Sequence, residues 1–192
     1  SDDYESKSQA IMDCAAALFA KEGYPAAKMQ DVAKACGATK SMLYHYFPAK
    51  DDLLFAMLQE HLQRLIAALE EALTGKGKPG ERMQRLVQAY MQKSVQSRRR
   101  HMVAMSDVKF LPKAKQAPLI ALQRQLAELI AGLLRELNPH LADNLYKPYT
   151  MMLVGMLNWT DFWYSSTGPV KPQELCDRMA RLFLNGFLAE KG

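Results

Sequence analysis

Residues 28 to 50 read KMQDVAKACGATKSMLYHYFPAK and predict two short helices joined by a tight turn. Apolar residues recur at helical spacing on both sides of the break, at Met29, Val32 and Ala33 before it and at Met42, Leu43 and Phe47 after it. The break is Cys36-Gly37-Ala38, where Gly37 favours the left-handed conformation that ends a helix. Thr39 follows as an N-cap for the second helix.

The second of these helices has a polar outer face and an apolar back. Its outer face carries ammonium, hydroxyl, phenol and imidazole groups, those of Lys40, Ser41, Tyr44 and His45. Leu43 and Phe47 point the other way, towards a domain core. Such a helix suits the major groove of DNA, where base edges offer donors, acceptors and thymine methyl groups. The spacing alone leaves open an ordinary helical hairpin with a solvated face.

The same stretch resembles the N-terminal helix-turn-helix of the TetR family of bacterial transcriptional repressors. The matching residues are Asp31, Ala33, Gly37, Leu43, Tyr44, Phe47 and Lys50, preceded by FAKEGY at residues 19 to 24. The resemblance covers about the first fifty residues and implies a three-helix DNA-binding head. Two positions depart from the family pattern: Ala27 and Lys28 replace a frequent Thr or Ser, and Met42 stands where many members have Thr.

The resemblance and the polar face together predict which residues contact a double-stranded DNA operator. These are Lys28, Thr39, Lys40, Ser41, Tyr44, His45, Tyr46 and Lys50. Lys28 is expected to supply charge in place of the missing hydroxyl, and Lys50 to meet a phosphate at the start of the next helix. The alternative for Lys50 is a solvated surface lysine.

The remaining pattern is helical throughout, so we expect an all-α fold. The predicted helices cover about residues 7–22, 50–73, 82–96, 98–110, 118–137, 147–164 and 174–188, after a frayed start at residues 1–6. We expect two domains: residues 1–50 form the helix-turn-helix head, and residues 51–192 form a helical effector-binding and dimerisation domain. The leucine-rich helix from Lys50 is expected to transmit movement between them.

Composition indicates a cytoplasmic protein without a membrane partner. The chain has 192 residues, of which 49% are hydrophobic, with no apolar run near the 18 that a spanning helix needs. It opens SDDYESK, without a basic and then apolar signal segment. Its three cysteines, Cys14, Cys36 and Cys176, fit a reducing compartment and lack the spacing of a metal site.

Sequence motifs give no support for an enzyme. GxSxG, P-loop, HExxH and GxGxxG patterns are all absent from the sequence. We therefore predict no catalytic residue, no metal site and no cofactor. Asn158 and Asp161 are polar residues within an apolar helix, and we interpret them as an inter-helix or dimer hydrogen bond rather than a ligand contact.

The last quarter of the chain predicts a homodimer. Met152, Met156, Trp159 and Trp163 form an apolar stripe on one predicted helix. The final helix is also rich in Leu, Met and Phe, as oligomer interfaces are. We expect these two helices to pair with their copies in a four-helix bundle, which places two heads on a roughly palindromic operator.

A small-molecule effector is expected in the second domain. Its candidate contacts are Tyr90, Arg98, Arg99, Met102, Met105, Met156, Trp159 and Trp163. Residues 155 to 170, GMLNWTDFWYSSTGPV, are similar to TetR-type regulators of fatty-acid, phenylacetate and sterol-fragment degradation, several of which answer to acyl-CoA thioesters.

Charge points to the same effector class. Residues 76 to 115 carry eleven basic and two acidic side chains, and Arg98 to Arg100 offer guanidinium groups for the phosphates of coenzyme A. An acyl-CoA or aryl-CoA that releases the repressor is therefore our hypothesis. Two alternatives for these residues stay open: core packing of the apolar candidates, and a solvated or DNA-contacting role for the arginines. Two alternatives for the protein also stay open, namely a multidrug-sensing repressor and a ligand-independent DNA-binding dimer.

Overall fold

The computed structural model describes residues 2–192 and is helical over that range, without a β-strand. The expected all-α fold is thereby confirmed. The helices are α1 (Asp2–Glu22), α2 (Met29–Ala35), α3 (Lys40–Tyr46), α4 (Lys50–Thr74), α5 (Pro79–Gln96), α6 (Arg98–Ser106), α7 (Lys113–Leu137), α8 (Asp143–Trp163) and α9 (Pro172–Ala189). A short 3-10 helix, Val108–Phe110, lies between α6 and α7.

The helices form two compact units. The first comprises the chain up to Gln63 together with Ser97–Leu122, and the second comprises Arg64–Gln96 together with Gln123–Gly192. The long helices α4 and α7 each contribute one end to each unit. The first unit thus contains α6 and the start of α4 as well as the helix-turn-helix. The functional boundary after residue 50 stays a prediction.

The core of the first unit is built from the apolar faces of α1, α2, α3, α4 and α6. Helix α1 contributes Ile11, Ala15 and Phe19, which recur every four residues and are almost fully buried. Val32 from α2 and Leu43 from α3 join the same cluster. Burial of this shared surface fixes the two short helices, which are too short to be stable alone.

Arg100 is the main polar group inside this first unit. Its side chain is 5% exposed, and its guanidinium lies 2.8 Å from Asp13 and 3.3 Å from Glu60. It also donates to the side-chain oxygen of Gln9 at 2.9 Å. The guanidinium is thus used to join α1, α4 and α6, contrary to the expectation that Arg100 offers its charge to an effector phosphate.

Two buried histidines lie between α4 and α6 in the same unit. His61 and His101 are 3% and 0% exposed, and their Nε2 and Nδ1 atoms are 2.9 Å apart. At this distance the two rings share one hydrogen bond, in which one nitrogen donates and the other accepts. This pair and the Arg100 contacts together fix α6 against the body of the unit.

Helix α5 packs against α8 and α9 in the second unit. Tyr90 is fully buried there, and its hydroxyl donates to Oδ1 of Asn158 at 2.6 Å. Burial is the largest cause of a raised pKa at Tyr90, so the phenol stays neutral. The interpretation of Asn158 as an inter-helix hydrogen-bond partner is confirmed, and the end of α9 is fixed by Asn138, which donates to the Phe187 carbonyl at 3.0 Å.

The predicted starts of α1, α7 and α8 were four or five residues too late, and that of α5 was three residues too late. Helices α7 and α8 begin at Lys113 and Asp143, and each carries its proline at the sixth position. A proline this close to the start of a helix removes a single hydrogen bond instead of ending the helix. Helix α1 is already formed at Asp2, where three acidic residues in the first turn interact favourably with the helix dipole, and Ser1 lies outside the described residues.

Among the described residues, α7 has the length and composition of a membrane-crossing helix, because an 18-residue window within it has a mean hydropathy of 1.2. One such helix does not establish a membrane span, because core helices of soluble proteins meet the same criterion.

We predict that Arg100→Ala lowers the free energy of unfolding by about 1.5 to 3 kcal/mol, because charged hydrogen bonds to partly buried acceptors are lost. The matched control is Arg99→Ala, whose exposed side chain predicts a change within about 0.5 kcal/mol. Urea denaturation followed by circular dichroism measures both. Equal losses in the two variants would show that the Arg100 network contributes little.

Candidate functional site

The turn between α2 and α3 has the geometry of a helix-turn-helix. Gly37 has a φ of 63°, which residues with a side chain rarely adopt. The N–H of Ala38 donates to the carbonyl of Ala33 at 2.9 Å and closes α2. Thr39 then begins α3, since its Oγ1 accepts a hydrogen bond from the Met42 N–H at 3.1 Å. The sequence-based prediction of this turn and of its cap is therefore confirmed.

Helix α3 has its apolar side chains in the core and its polar ones in solvent. Leu43 and Phe47 are buried at 0% and 6% exposure. Six predicted DNA contacts are exposed: Lys28, Thr39, Lys40, Ser41, Tyr44 and His45. The Lys40 ammonium lies 5.8 Å from the centre of the Tyr44 ring, so charge and phenol form one patch. The patch presents a cation and several hydrogen-bonding groups without a carboxylate among them.

The start of α2 lacks the hydroxyl cap that the family pattern often has. Lys28 occupies the capping position, and its backbone N–H donates to Oδ2 of Asp31 at 3.2 Å. The carboxylate at the third helical position thus replaces part of the missing cap. Lys28 keeps its ammonium exposed, as its predicted DNA contact requires.

Tyr46 and Lys50 differ from the other predicted DNA contacts because both are half-buried. The Tyr46 ring stacks on Tyr4 of α1 with 4.5 Å between centroids. The Lys50 ammonium donates to the backbone carbonyls of Tyr24 and Ala27, at 2.8 and 3.0 Å. Lys50 therefore fixes the segment that leads into α2, with two of its three N–H groups already used. Contact of Lys50 with a phosphate stays a prediction.

The position of the Lys50 ammonium is fixed in turn by the ring of Tyr24. The ammonium lies 4.1 Å from the centre of the Tyr24 ring, a cation–π contact. The Tyr24 hydroxyl donates to Asp51, and its ring stacks on Phe110 at 5.8 Å. Burial, followed by the hydrogen bond to Asp51, raises the pKa of Tyr24, so it remains a neutral donor.

The eight predicted effector contacts are divided between the two units. Helix α6 of the first unit carries Arg98, Arg99, Met102 and Met105. The second unit carries Tyr90, Met156, Trp159 and Trp163. Trp159 and Trp163 are 62% and 57% exposed on the outer face of α8, so they do not enclose a pocket within the described chain.

A cavity of about 390 Å³ opens in the second unit between the end of α5, the start of α9 and the segment that joins α8 to α9. Its apolar wall is formed by Met91, Val95, Pro172, Leu175 and Cys176. Its polar wall consists of uncharged groups, those of Gln88, Gln92, Gln96, Tyr164, Ser166 and Gln173. Neither list contains any of the eight predicted effector contacts. The lining suits a neutral, largely apolar ligand that accepts or donates a few hydrogen bonds.

The cavity wall also contains groups that stay neutral near pH 7. Burial, followed by the nearby Asp177 carboxylate, raises the pKa of the Cys176 thiol. Burial also raises the pKa of Tyr164, whose hydroxyl donates to the Val170 carbonyl at 2.9 Å. Among the residues that line the cavity there is no lysine or arginine, so a phosphate has no cation there.

Two family models match this chain. The model of bacterial regulatory proteins of the tetR family matches residues 11–57, which contain the helix-turn-helix. The model of the tetracyclin repressor-like C-terminal domain matches residues 76–187, more than half of the chain. The chain belongs to the TetR family. The match of residues 76–187 extends the resemblance of the first fifty residues to the second domain. Members of this family are DNA-binding transcriptional regulators and not enzymes.

Known TetR-family members share this architecture over nearly their whole length. A solved TetR-family regulator from Bordetella parapertussis 12822 is 36% identical, with 96% of this chain and 97% of that one covered and a TM-score of 0.88. The repressor KstR2 of Mycobacterium tuberculosis is 22% identical over 186 residues, 94% of this chain and 92% of that protein. AibR in complex with isovaleryl coenzyme A and operator DNA has the same fold, at 20% identity, coverage of 92% and 97%, and a TM-score of 0.80.

The cavity in this TetR-family chain was missed by the sequence-based prediction, although a signal was present. Gln88, Gln92 and Gln96 recur every four residues and form a stripe of uncharged amides on α5. Met91 and Val95 lie on the same helix beside that stripe. The predicted effector contacts were aromatic, methionine and arginine residues, and such residues occur on exposed protein surfaces as well as around ligands.

We predict that Lys40→Ala weakens the binding of duplex DNA because one phosphate-neutralising charge is lost from α3. The slope of the logarithm of affinity against the logarithm of salt concentration should fall in magnitude by about 0.9 for each head on the DNA, and so by about 1.8 for the expected dimer. Arg124→Ala removes the same charge from an exposed position on α7 and should leave the slope unchanged. Fluorescence anisotropy at several salt concentrations measures both, and equal slopes for the two variants would exclude Lys40 from the interface.

Proposed function

We propose that this TetR-family regulator is a ligand-responsive repressor that binds a palindromic operator as a homodimer and is released by its effector. The observation that carries the proposal is the division of α3 into a buried back and an exposed polar face. A seven-residue helix held in this way presents its side chains in a fixed direction, which base-edge recognition requires. Lys40, Ser41, Tyr44 and His45 are the proposed readers.

The homodimer is supported by the exposed apolar surface of α8 and α9. The largest exposed hydrophobic side chains there are those of Met151, Met152, Trp159, Phe162, Trp163, Leu182 and Leu188. Monomeric proteins rarely leave so many large aromatic and aliphatic side chains of two neighbouring helices in water. Pairing this surface with its own copy by a two-fold axis would bury it and relate two heads by the same axis. A palindromic operator follows from that symmetry.

The proposed effector site is the cavity at the end of α5. Its volume of about 390 Å³ falls within the usual range for small-molecule sites, about 300 to 1,000 Å³. Met91, Val95 and Leu175 offer an apolar surface, and the glutamine amides offer hydrogen bonds that fix orientation. The uncharged lining favours a neutral acyl or aryl group over a cationic lipophile, for which a buried carboxylate would be expected.

An acyl-CoA or aryl-CoA thioester remains the proposed effector class. It is supported by the fold shared with AibR, which was solved with isovaleryl coenzyme A. The cavity accounts for the acyl or aryl part alone. The functional division after residue 50, with the head before it and effector binding and dimerisation after it, belongs to the same proposal.

We predict that one or more thioesters raise the melting temperature, whereas free coenzyme A and the matching acid do not. A ligand at about a hundred times its Kd adds roughly 2.7 kcal/mol, and each kcal/mol shifts a chain of this size by about 2 to 4 °C. Val95→Trp should abolish the shift because the indole occupies part of the space that the ligand needs, and Val95→Ala, which leaves the cavity open, should retain it. A shift that survives in Val95→Trp would exclude this cavity as the ligand site.

The same ligands test release from DNA. A thioester that shifts the melting temperature should lower the affinity for duplex DNA in the wild-type protein and in Val95→Ala, and leave Val95→Trp unaffected. A ligand that stabilises the protein without any change in DNA affinity would contradict the proposed coupling between effector and operator.

A further inference from the structure

Two thiols from different helices come together inside the DNA-binding head. Sγ of Cys14 on α1 lies 4.0 Å from the carbonyl oxygen of Ala35, and Sγ of Cys36 lies 4.0 Å from the carbonyl oxygen of Ile11. Each thiol thus rests against the segment that carries the other. Both cysteines are free and half-buried, and Cys14 is near enough to contribute to the raised pKa of the Cys36 thiol.

Cys36 occupies the position that sets the direction of α3. It is the C-cap of α2, its N–H donates to the Val32 carbonyl at 2.9 Å, and Gly37 follows directly with its positive φ. Thr39, the N-cap of α3, is three residues further on. A covalent link at Cys36 would therefore act on the turn itself, and through it on the side chains proposed to read DNA.

We propose that Cys14 and Cys36 form a reversible disulfide site at which low-molecular-weight disulfides oxidise the head and weaken its hold on the operator. The link would form within one protomer, between α1 and the helix-turn-helix turn. Its effect on the operator rests on the proposed role of α3, whereas formation of the link does not.

The chemistry is a two-step thiol–disulfide exchange. The Cys14 thiolate attacks one sulfur of the small disulfide, a mixed disulfide forms on Cys14, and one small thiol leaves. The Cys36 thiolate then attacks the Cys14 sulfur and expels the second small thiol, so that two protein thiols are oxidised and one small disulfide is reduced to two thiols. Two protons pass from the protein thiols to the departing thiols.

The environment of Cys36 supports this order of steps. Burial first, then the hydrogen bond and the charge of Cys14, raise the pKa of the Cys36 thiol to about 12. Cys36 is thereby kept protonated while Cys14 is reduced, and we assign the first attack to Cys14. Once Cys14 carries the mixed disulfide, its sulfur has no negative charge and is a poorer acceptor for the Cys36 S–H, so two of the three causes of the raised pKa are weakened.

Closing the disulfide changes the head because its geometry is strict. The two sulfurs must approach to about 2.05 Å, well inside a hydrogen-bond separation. Cys36 and the turn are drawn towards α1, and α3 rotates with them. Hydrogen bonds to base edges weaken steeply with misalignment, so operator affinity falls when α3 rotates.

The chemical test uses the full chain and glutathione disulfide as the oxidant. Oxidised wild-type protein should lose about two mass units, and peptide mapping should show the segment of Cys14 joined to that of Cys36. Cys176→Ser, which removes the thiol in the cavity of the second unit, should form the same link. Cys36→Ser should instead keep glutathione on Cys14. A glutathione adduct that persists in wild-type protein, or no reaction at all, would overturn the proposal.

The functional test compares duplex DNA binding before and after oxidation. Oxidised wild-type protein should bind at least about fivefold more weakly, the loss expected when one base contact is misaligned, and dithiothreitol should restore binding. Oxidised Cys36→Ser is the control for a glutathione adduct without a cross-link and should keep more of its affinity. A cross-linked protein of unchanged affinity would overturn the regulatory effect, whereas a reduced protein that does not bind DNA would contradict the proposed function itself.

Discussion

The DNA-binding face of this protein depends on the burial of Leu43 and Phe47 behind α3. A helix of seven residues is unstable by itself, because few hydrogen bonds form for the backbone entropy that is lost. Packing of these two side chains into the first unit both stabilises α3 and fixes which of its residues face outwards. The Gly37 turn, the Thr39 cap and the Lys50 contacts all serve this one packing arrangement.

Several cations that look available in the sequence are used inside the protein. Lys50 holds two backbone carbonyls, and Arg100 joins three helices through Asp13 and Glu60. The net charge of +5 therefore overstates the charge that a phosphate can meet. Lys40 and Arg99 differ from these residues because their side chains are exposed. Burial, more than the number of basic residues, decides which cations are open to DNA or to an effector.

Local pattern was sufficient to predict the two short helices and their turn, because a glycine turn, a threonine cap and two apolar faces lie within 23 residues, whereas their DNA-binding role was predicted from the family resemblance. The starts of α7 and α8 were misplaced because Pro118 and Pro148 lie in the second turn of their helices, where each proline removes one hydrogen bond without ending the helix. Trp159 and Trp163 were assigned to a pocket because helical spacing is the same for a pocket wall and an outer face. The contact of Cys14 with Cys36 arises from tertiary packing and has no signature in the sequence.

The most direct test of the account is selection of bound duplexes from a random-sequence DNA library. If α3 reads base edges and the exposed faces of α8 and α9 pair two copies, the selected sequences will contain an inverted repeat. Its half-site centres should lie about one helical turn, or a multiple of it, apart. A single unsymmetrical motif would contradict the proposed dimer on DNA, and the absence of any enriched sequence would contradict recognition by α3.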